Sequence, residues 1–135
     1  MRPGPARGTT ATSELVVEAS MTDAGRVTGL PEGLPQNFGT LAMAEAVATA
    51  ARALLDEHLE DDEIAVPGRI EIIHRTPVAV GTTVLLEATV QMVEPDRVTC
   101  EVLVRTGSGV AARASYEQEV VPRHEWLARL GAVAA

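Results

Sequence analysis

Two polar residues occupy positions where a hydroxyl and an imidazole could meet and activate a nucleophile. His74 ends the run Arg69-Ile70-Glu71-Ile72-Ile73-His74-Arg75, just before Thr76-Pro77. This segment reads as a β-strand, and strand alternation puts Ile70, Ile72 and His74 on one face. That face is expected to be the buried one, so the imidazole lies among apolar side chains. Upstream, Thr40 opens an Ala-rich helix. An imidazole titrates near neutrality and can take a proton from a hydroxyl or a water. A helix start adds N–H groups without intrahelical partners and a favourable dipole, which can steady a developing oxyanion. Each residue also has a structural role open to it. Thr40 can be a helix N-cap, as can Asn37. His74 can be a core histidine bonded to a backbone carbonyl.

Composition narrows the chemistry. The 135 residues fit one domain with a sizeable core. Hydrophobic residues make up 46% but aromatics only 2%, so the core must be Val, Ile, Leu, Ala and Met. Such a chain has almost no platform for stacking bases, and its net charge of −8 opposes phosphate backbones. Nucleic acid is therefore not an expected partner. All eleven basic residues are arginine, which excludes a lysine Schiff base. Cys100 is the one cysteine; it alternates with Val98, Val102 and Val104, as a core residue would. No intrachain disulfide, thiolate metal cluster or cofactor is expected. No apolar run reaches membrane-spanning length, and residues 1–13 lack the apolar stretch of a signal peptide. The expectation is a cytoplasmic protein with a disordered tail over 1–13, a single domain over 14–130 and a flexible end over 131–135.

The elements follow from periodicity. Glu14 to Ser20 reads as a short strand. Residues 21–36 read as irregular, with turn formers Gly29, Pro31, Gly33 and Pro35. A helix is predicted from about Gly39 to Leu59, with Met43, Ala44, Val47, Ala51, Leu54 and Leu55 on one face and Glu45, Thr49, Arg52 and Asp56 opposite. Four strands follow: Ile64 to Arg75, bent at Pro67-Gly68; Thr82 to Glu94; Arg97 to Thr106; and Val110 to Val121. Pro95-Asp96 and Gly107-Ser108-Gly109 are short enough for hairpins. Arg123 to Leu130 is predicted as a terminal helix with Trp126 on the sheet. A strand, a long small-residue helix and an antiparallel meander make an α+β chain with the sheet wrapped around the helix.

This order, together with Phe38-Gly39-Thr40, Ala50-Ala51-Arg52 and His74-Arg75-Thr76-Pro77-Val78-Ala79-Val80-Gly81, resembles the hotdog fold. More narrowly, it resembles the fluoroacetyl-CoA thioesterase family over about residues 14 to 125. The resemblance implies an acyl thioesterase acting on a small acyl-CoA or carrier-bound acyl thioester, without a cofactor, as a homodimer or larger. It implies catalysis by Thr40 and His74. Asn37, Phe38 and Gly39 at the helix entry, with Gly68 on the histidine strand, are implied to contact substrate. The family glutamate position falls on Ala48. The family's Gly-x-His-Glu-Arg is replaced by Ala114-Ser115-Tyr116-Glu117-Gln118, and Gly68 lies one residue nearer His74 than in the family.

The missing carboxylate motivates an alternative: a hotdog protein that binds an acyl or apolar small molecule, or a dehydratase- or cyclase-type enzyme. Glu45 is the nearest carboxylate on the helix, roughly 60° around the axis from Ala48. It is a catalytic candidate, for this site or a neighbouring subunit's, set against a solvated face or a subunit contact. Arg69, Arg75, Arg105 and Arg113 could attract an anionic carrier or simply pair with Glu71, Glu87, Glu101 and Glu117.

Overall fold

The computed structural model describes residues 1–24, 27, 29–30 and 36–134. Five strands, β1 (Thr10–Val16), β2 (Glu63–His74), β3 (Thr83–Glu94), β4 (Arg97–Thr106) and β5 (Gly109–Pro122), form one antiparallel sheet in the order β1-β3-β4-β5-β2. Helix α1 (Thr40–Arg52) packs across it and α2 (Arg123–Ala134) follows β5.

Alternation explains the sheet. Val84, Leu86, Ala88 and Val90 of β3, Val98, Cys100, Val102 and Val104 of β4, and Ala112, Ala114 and Tyr116 of β5 are all buried. Between them stand half-buried or exposed residues, so one face of the sheet meets α1 and the other meets solvent. Register lines these residues into rows. Leu86 opposes Val104, Val104 opposes Ala112, and Ala112 opposes His74. The imidazole therefore ends an otherwise apolar row on the concave face. Ile70 and Ile72 end the next two rows, so the three residues share a face as expected. Their burial is less than expected, however: Ile70 is 42% exposed, and Ile72 and His74 are half-buried. The reason is that β2 is an edge strand, with β5 on one side and no strand among the described residues on the other.

Both hairpins are two-residue loops. Glu94 pairs with Arg97, and Thr106 with Gly109. Gly109 sits at φ +126°, which only glycine adopts easily. The bend in β2 is a bulge between Pro67 and Arg69, leaving Gly68 without a register partner opposite β5.

α1 carries six alanines and neither glycine nor proline. Its buried residues are Ala42, Met43, Val47, Ala50 and Ala51. It ends at Arg52, earlier than expected, because Leu54 and Leu55 turn inward through bonds to the carbonyls of Ala51 and Arg52, at 3.1 and 2.9 Å. This tightens the last turn, and a 3-10 turn over Asp56–His58 follows.

The N-terminal expectation is corrected in two ways. The first strand is Thr10–Val16, paired to β3 from Thr10↔Thr89 to Val16↔Thr83, and a 3-10 turn (Ala19–Met21) follows instead of a continued strand. The preceding residues are also held rather than a free tail. The Met1 ammonium pairs with Glu63, and the Pro3 carbonyl meets His58 Nδ1 at 2.8 Å. Burial alone would raise the Glu63 carboxyl, but the Met1 ammonium, the Glu60 N–H and Arg2 hold it below its usual range. At the other end, α2 extends through Ala134, past the expected end of the domain. Trp126 is half-buried, with the Arg129 guanidinium 5.6 Å from its ring centre and Arg129 bonded to Glu119 at 2.9 Å. The turn formers Pro31, Gly33 and Pro35 lie outside the described residues.

Candidate active site

The first turn of α1 brings Thr40 to the end of β2. Thr40 Oγ1 lies 3.2 Å from His74 Nδ1, and His74 Nε2 lies 2.9 Å from the Thr76 carbonyl oxygen. These two contacts fix the protons. A carbonyl only accepts, so Nε2 carries the hydrogen in the neutral ring. Nδ1 is then a lone pair, and the Thr40 hydroxyl donates to it. This is the arrangement of a nucleophile and its general base, with a third group orienting the base. Thr40 is exposed and His74 half-buried, so a ligand can reach the pair.

Thr40 is not the N-cap. That position is Gly39, at φ −72° and ψ 145°, and no side chain caps the helix. The Thr40 hydroxyl is therefore directed to the strand instead of back to its own helix. His74 makes both contacts, one ring nitrogen meeting a backbone carbonyl and the other Thr40.

The expected substrate-contact residues separate. Phe38 is fully buried; it anchors the helix start in the core, its N–H donating to the Val78 carbonyl at 2.7 Å. Asn37 is half-buried and bridges to Ala79, so it joins this entry segment to the turn after β2. Gly39 is not open to an approaching ligand as expected. Its N–H donates to the Met21 carbonyl at 2.7 Å, and a Cβ would meet the Asp23 carboxyl carbon and backbone nitrogen, each at 2.8 Å. Glycine is required there to admit the chain's own segment. The remaining first-turn N–H groups, on Thr40, Leu41 and Ala42, lack intrahelical acceptors by the geometry of any helix start. Asp23 Oδ1 is buried beside this turn and has no hydrogen-bond partner among the described residues. Sequence reasoning missed Asp23, and only the glycine before Thr40 hinted at a close approach. Gly68 lies six residues before His74, roughly 20 Å along an extended strand, so one chain does not bring it to this site.

Glu45 is not joined to the pair either. It is exposed and lines a groove of about 460 Å³ between α1 and β1, with Glu14, Leu15, Met21, Ala46 and Leu86 around it. Five residues from Thr40, it points roughly 140° away around the axis. Ala48 leaves no carboxylate on the Thr40 side. Tyr116 is buried between Cys100 and Ile70 in the register, and burial raises its hydroxyl despite the opposing charge of Arg52. Burial likewise pushes the Cys100 thiol up to about 11, so it is an inert core residue. Among the described residues no group of three or more His, Cys, Asp or Glu is placed to hold a metal, and no helix is long and apolar enough to cross a membrane.

Comparison with known proteins supports the fold and gives the family. The sequence profile of the fluoroacetyl-CoA-specific thioesterase family matches residues 13–124. A thioesterase superfamily member from Thermus thermophilus superposes with a TM-score of 0.86 at 26% identity, over 99% of this chain and 96% of that one. A hot-dog-like protein from Thermanaerovibrio acidaminovorans gives 0.84 at 25%, over 99% and 94%. The fluoroacetyl-CoA thioesterase itself gives 0.81 at 25%, over 94% and 96%. No curated protein sequence matches the chain significantly.

Proposed function

Because the chain belongs to the fluoroacetyl-CoA-specific thioesterase family and has a hotdog fold, we propose that it hydrolyses a small acyl-CoA thioester through Thr40 and His74. The observation carrying this reading is the Thr40 Oγ1–His74 Nδ1 contact of 3.2 Å in a ring oriented by the Thr76 carbonyl. Thr40 Oγ attacks the thioester carbon while its proton passes to Nδ1. The C–S bond breaks, the thiolate takes that proton, and an acyl-threonine ester remains. Water attacks the ester as Nδ1 takes a water proton. The ester C–O bond breaks, the acid leaves, and Thr40 recovers its hydrogen from the imidazolium. Throughout, Nε2–H stays on the Thr76 carbonyl. That carbonyl orients the ring as a carboxylate would, but without a full negative charge to stabilise the imidazolium, so slow turnover is expected.

Purified protein is expected to release free thiol from acetyl-CoA or another short acyl-CoA, and His74→Ala to abolish release. Calorimetric binding of acyl-CoA without thiol release would favour the non-hydrolytic alternative that the alanine at position 48 motivates. The working form in this reading is a cytoplasmic homodimer. Support comes from the unpaired edge of β2, with Ile70 42% exposed on it. Ile70→Lys is expected to yield a monomer by light scattering.

A further inference from the structure

Coenzyme A carries several phosphates, and a protein of net charge −8 repels them unless positive charge is concentrated locally. Arg69 pairs with Glu71 at 3.1 Å and Arg105 lies 3.4 Å from Glu87. Arg113 lies 3.8 Å from Glu101, at the outer limit of an ion pair, and Arg75 has no carboxylate partner among the described residues. Arg75 directly follows His74, one residue past the end of β2, and is exposed. Register puts Arg113 opposite Ile73, on the face of the sheet away from α1, and the Arg75 N–H donates to the Ala111 carbonyl of the same strand, β5, at 3.1 Å. The two arginines thus lie close together at the end of the β2–β5 pair. A cavity of about 450 Å³ lies at this place, lined by Ile73, Arg75, Val110, Ala111, Ala112 and Arg113. Its lining holds two guanidinium groups and no carboxylate, and Ile73 and Val110, 43% and 42% exposed, give it apolar surface.

We propose that this cavity is the docking site for the phosphates of the coenzyme A carrier, a reading that rests on the thioesterase function above. Arg75 and Arg113 grip phosphate oxygens with their planar donor forks, and the adenine lies against Ile73 and Val110. The long, flexible pantetheine arm separates phosphates from thioester. It rounds the end of β2, so the thioester reaches Thr40 on one face while the nucleotide rests on the other. Arg113 exchanges a long, exposed contact with Glu101 for a phosphate, which sacrifices little.

The test compares butanoyl-CoA with butanoyl-pantetheine, which lacks every phosphate, in wild type and in Arg75→Gln/Arg113→Gln. Melting curves confirm that the variant is folded. For butanoyl-CoA, kcat/KM is expected to fall at least tenfold, mainly through KM, and to lose much of its salt dependence. For butanoyl-pantetheine it should stay within twofold. Equal losses on both substrates, or none on either, overturn the proposal. A 4′-phosphopantetheine thioester as sensitive to the variant as butanoyl-CoA would move the site to a carrier-bound phosphate and overturn the assignment to coenzyme A. If wild type hydrolyses neither thioester, the thioesterase reading fails by itself. Calorimetry with coenzyme A and pantetheine then decides the site. Coenzyme A binding that weakens tenfold in the variant supports it, and absence of coenzyme A binding overturns it.

Discussion

The two flanks of α1 carry similar residues and put them to different uses. On one, Thr40 is followed by Ala44 and Ala48 at helical spacing, and its hydroxyl meets an imidazole. On the other, Glu45, Ala46 and Thr49 face the groove against β1. Glu45 makes no side-chain bond there, and the Thr49 hydroxyl bonds back to the Glu45 carbonyl at 3.0 Å, within the helix. Both flanks have a polar group among alanines. Ser13 and Glu14 of β1 also line the groove, but among the described residues only the Thr40 flank has a polar side chain of the sheet in hydrogen-bond contact with one of the helix. The contact therefore depends on where β2 ends, because a strand one residue shorter would leave the Thr40 hydroxyl without the imidazole.

The most forceful way to break this contrast is to remove the partner. His74→Ala and Thr40→Ala are each expected to lower kcat/KM for thiol release by about 10³-fold, the scale of a lost general base or nucleophile. Thr40→Ser keeps the hydroxyl and should retain most of the activity. If Thr40→Ala were as active as wild type while His74→Ala was dead, Thr40 would be a positioning group and water the nucleophile.

A second test asks whether the helix start tolerates any side chain before Thr40. Gly39→Ala places a methyl against Asp23, whose nearest atoms lie under 3 Å from it. Overpacking of this kind costs about 1–3 kcal/mol, visible as a lower midpoint in thermal or urea unfolding. Asp23→Ala in the same chain should recover part of the loss, and the double-mutant cycle should give a coupling above about 0.5 kcal/mol. Additive effects would mean that Asp23 and Gly39 do not touch in solution.

Which of these features could be read beforehand depended on burial. β3, β4 and β5 alternate cleanly because one face is sealed by α1, and their bounds and hairpins followed from the pattern. β1 did not: Thr10, Thr12, Ser13 and Glu14 are exposed on an edge, so no period marks where pairing begins. His74 and Thr40 were legible because each breaks an apolar rhythm. The Thr76 carbonyl was not, since backbone direction leaves no trace in residue type. Gly39 carried a signal of close approach, but a glycine does not say what approaches. The signal was read as room for a substrate, and Asp23 fills it. Arg75 was legible only as one of four strand arginines, because pairing with glutamates across strands is settled by register.

A smaller effect is expected from supplying the missing carboxylate. Ala48 is half-buried, two turns along the helix from Thr40. Ala48→Glu adds a negative charge on the catalytic flank, where it can stabilise the imidazolium that the neutral Thr76 carbonyl stabilises only weakly. A gain of about tenfold in kcat/KM, roughly 1.4 kcal/mol, is expected. It should be accompanied by an upward move of the apparent pKa of the pH–rate profile, since a nearby carboxylate favours protonated histidine. A gain without that move would place the new carboxylate on the substrate instead of on His74.

The smallest effect falls on the other flank and defines the contrast most narrowly. Glu45→Gln keeps size and hydrogen bonding and removes only charge. Glu45 is exposed and has no ion-pair partner among the described residues, so its interaction with a distant thioester is screened by water. Turnover is expected to change less than twofold and the melting midpoint to stay put. A loss beyond tenfold would mean that Glu45 reaches a reacting group, and one chain does not bring it to Thr40. It would have to act in the second subunit's site, and mixing Glu45→Gln with His74→Ala protein would then restore part of the activity in heterodimers. Without such a loss, the Glu45 carboxylate has no part in turnover, as the proposed Thr40–His74 pair on the flank that β2 reaches requires.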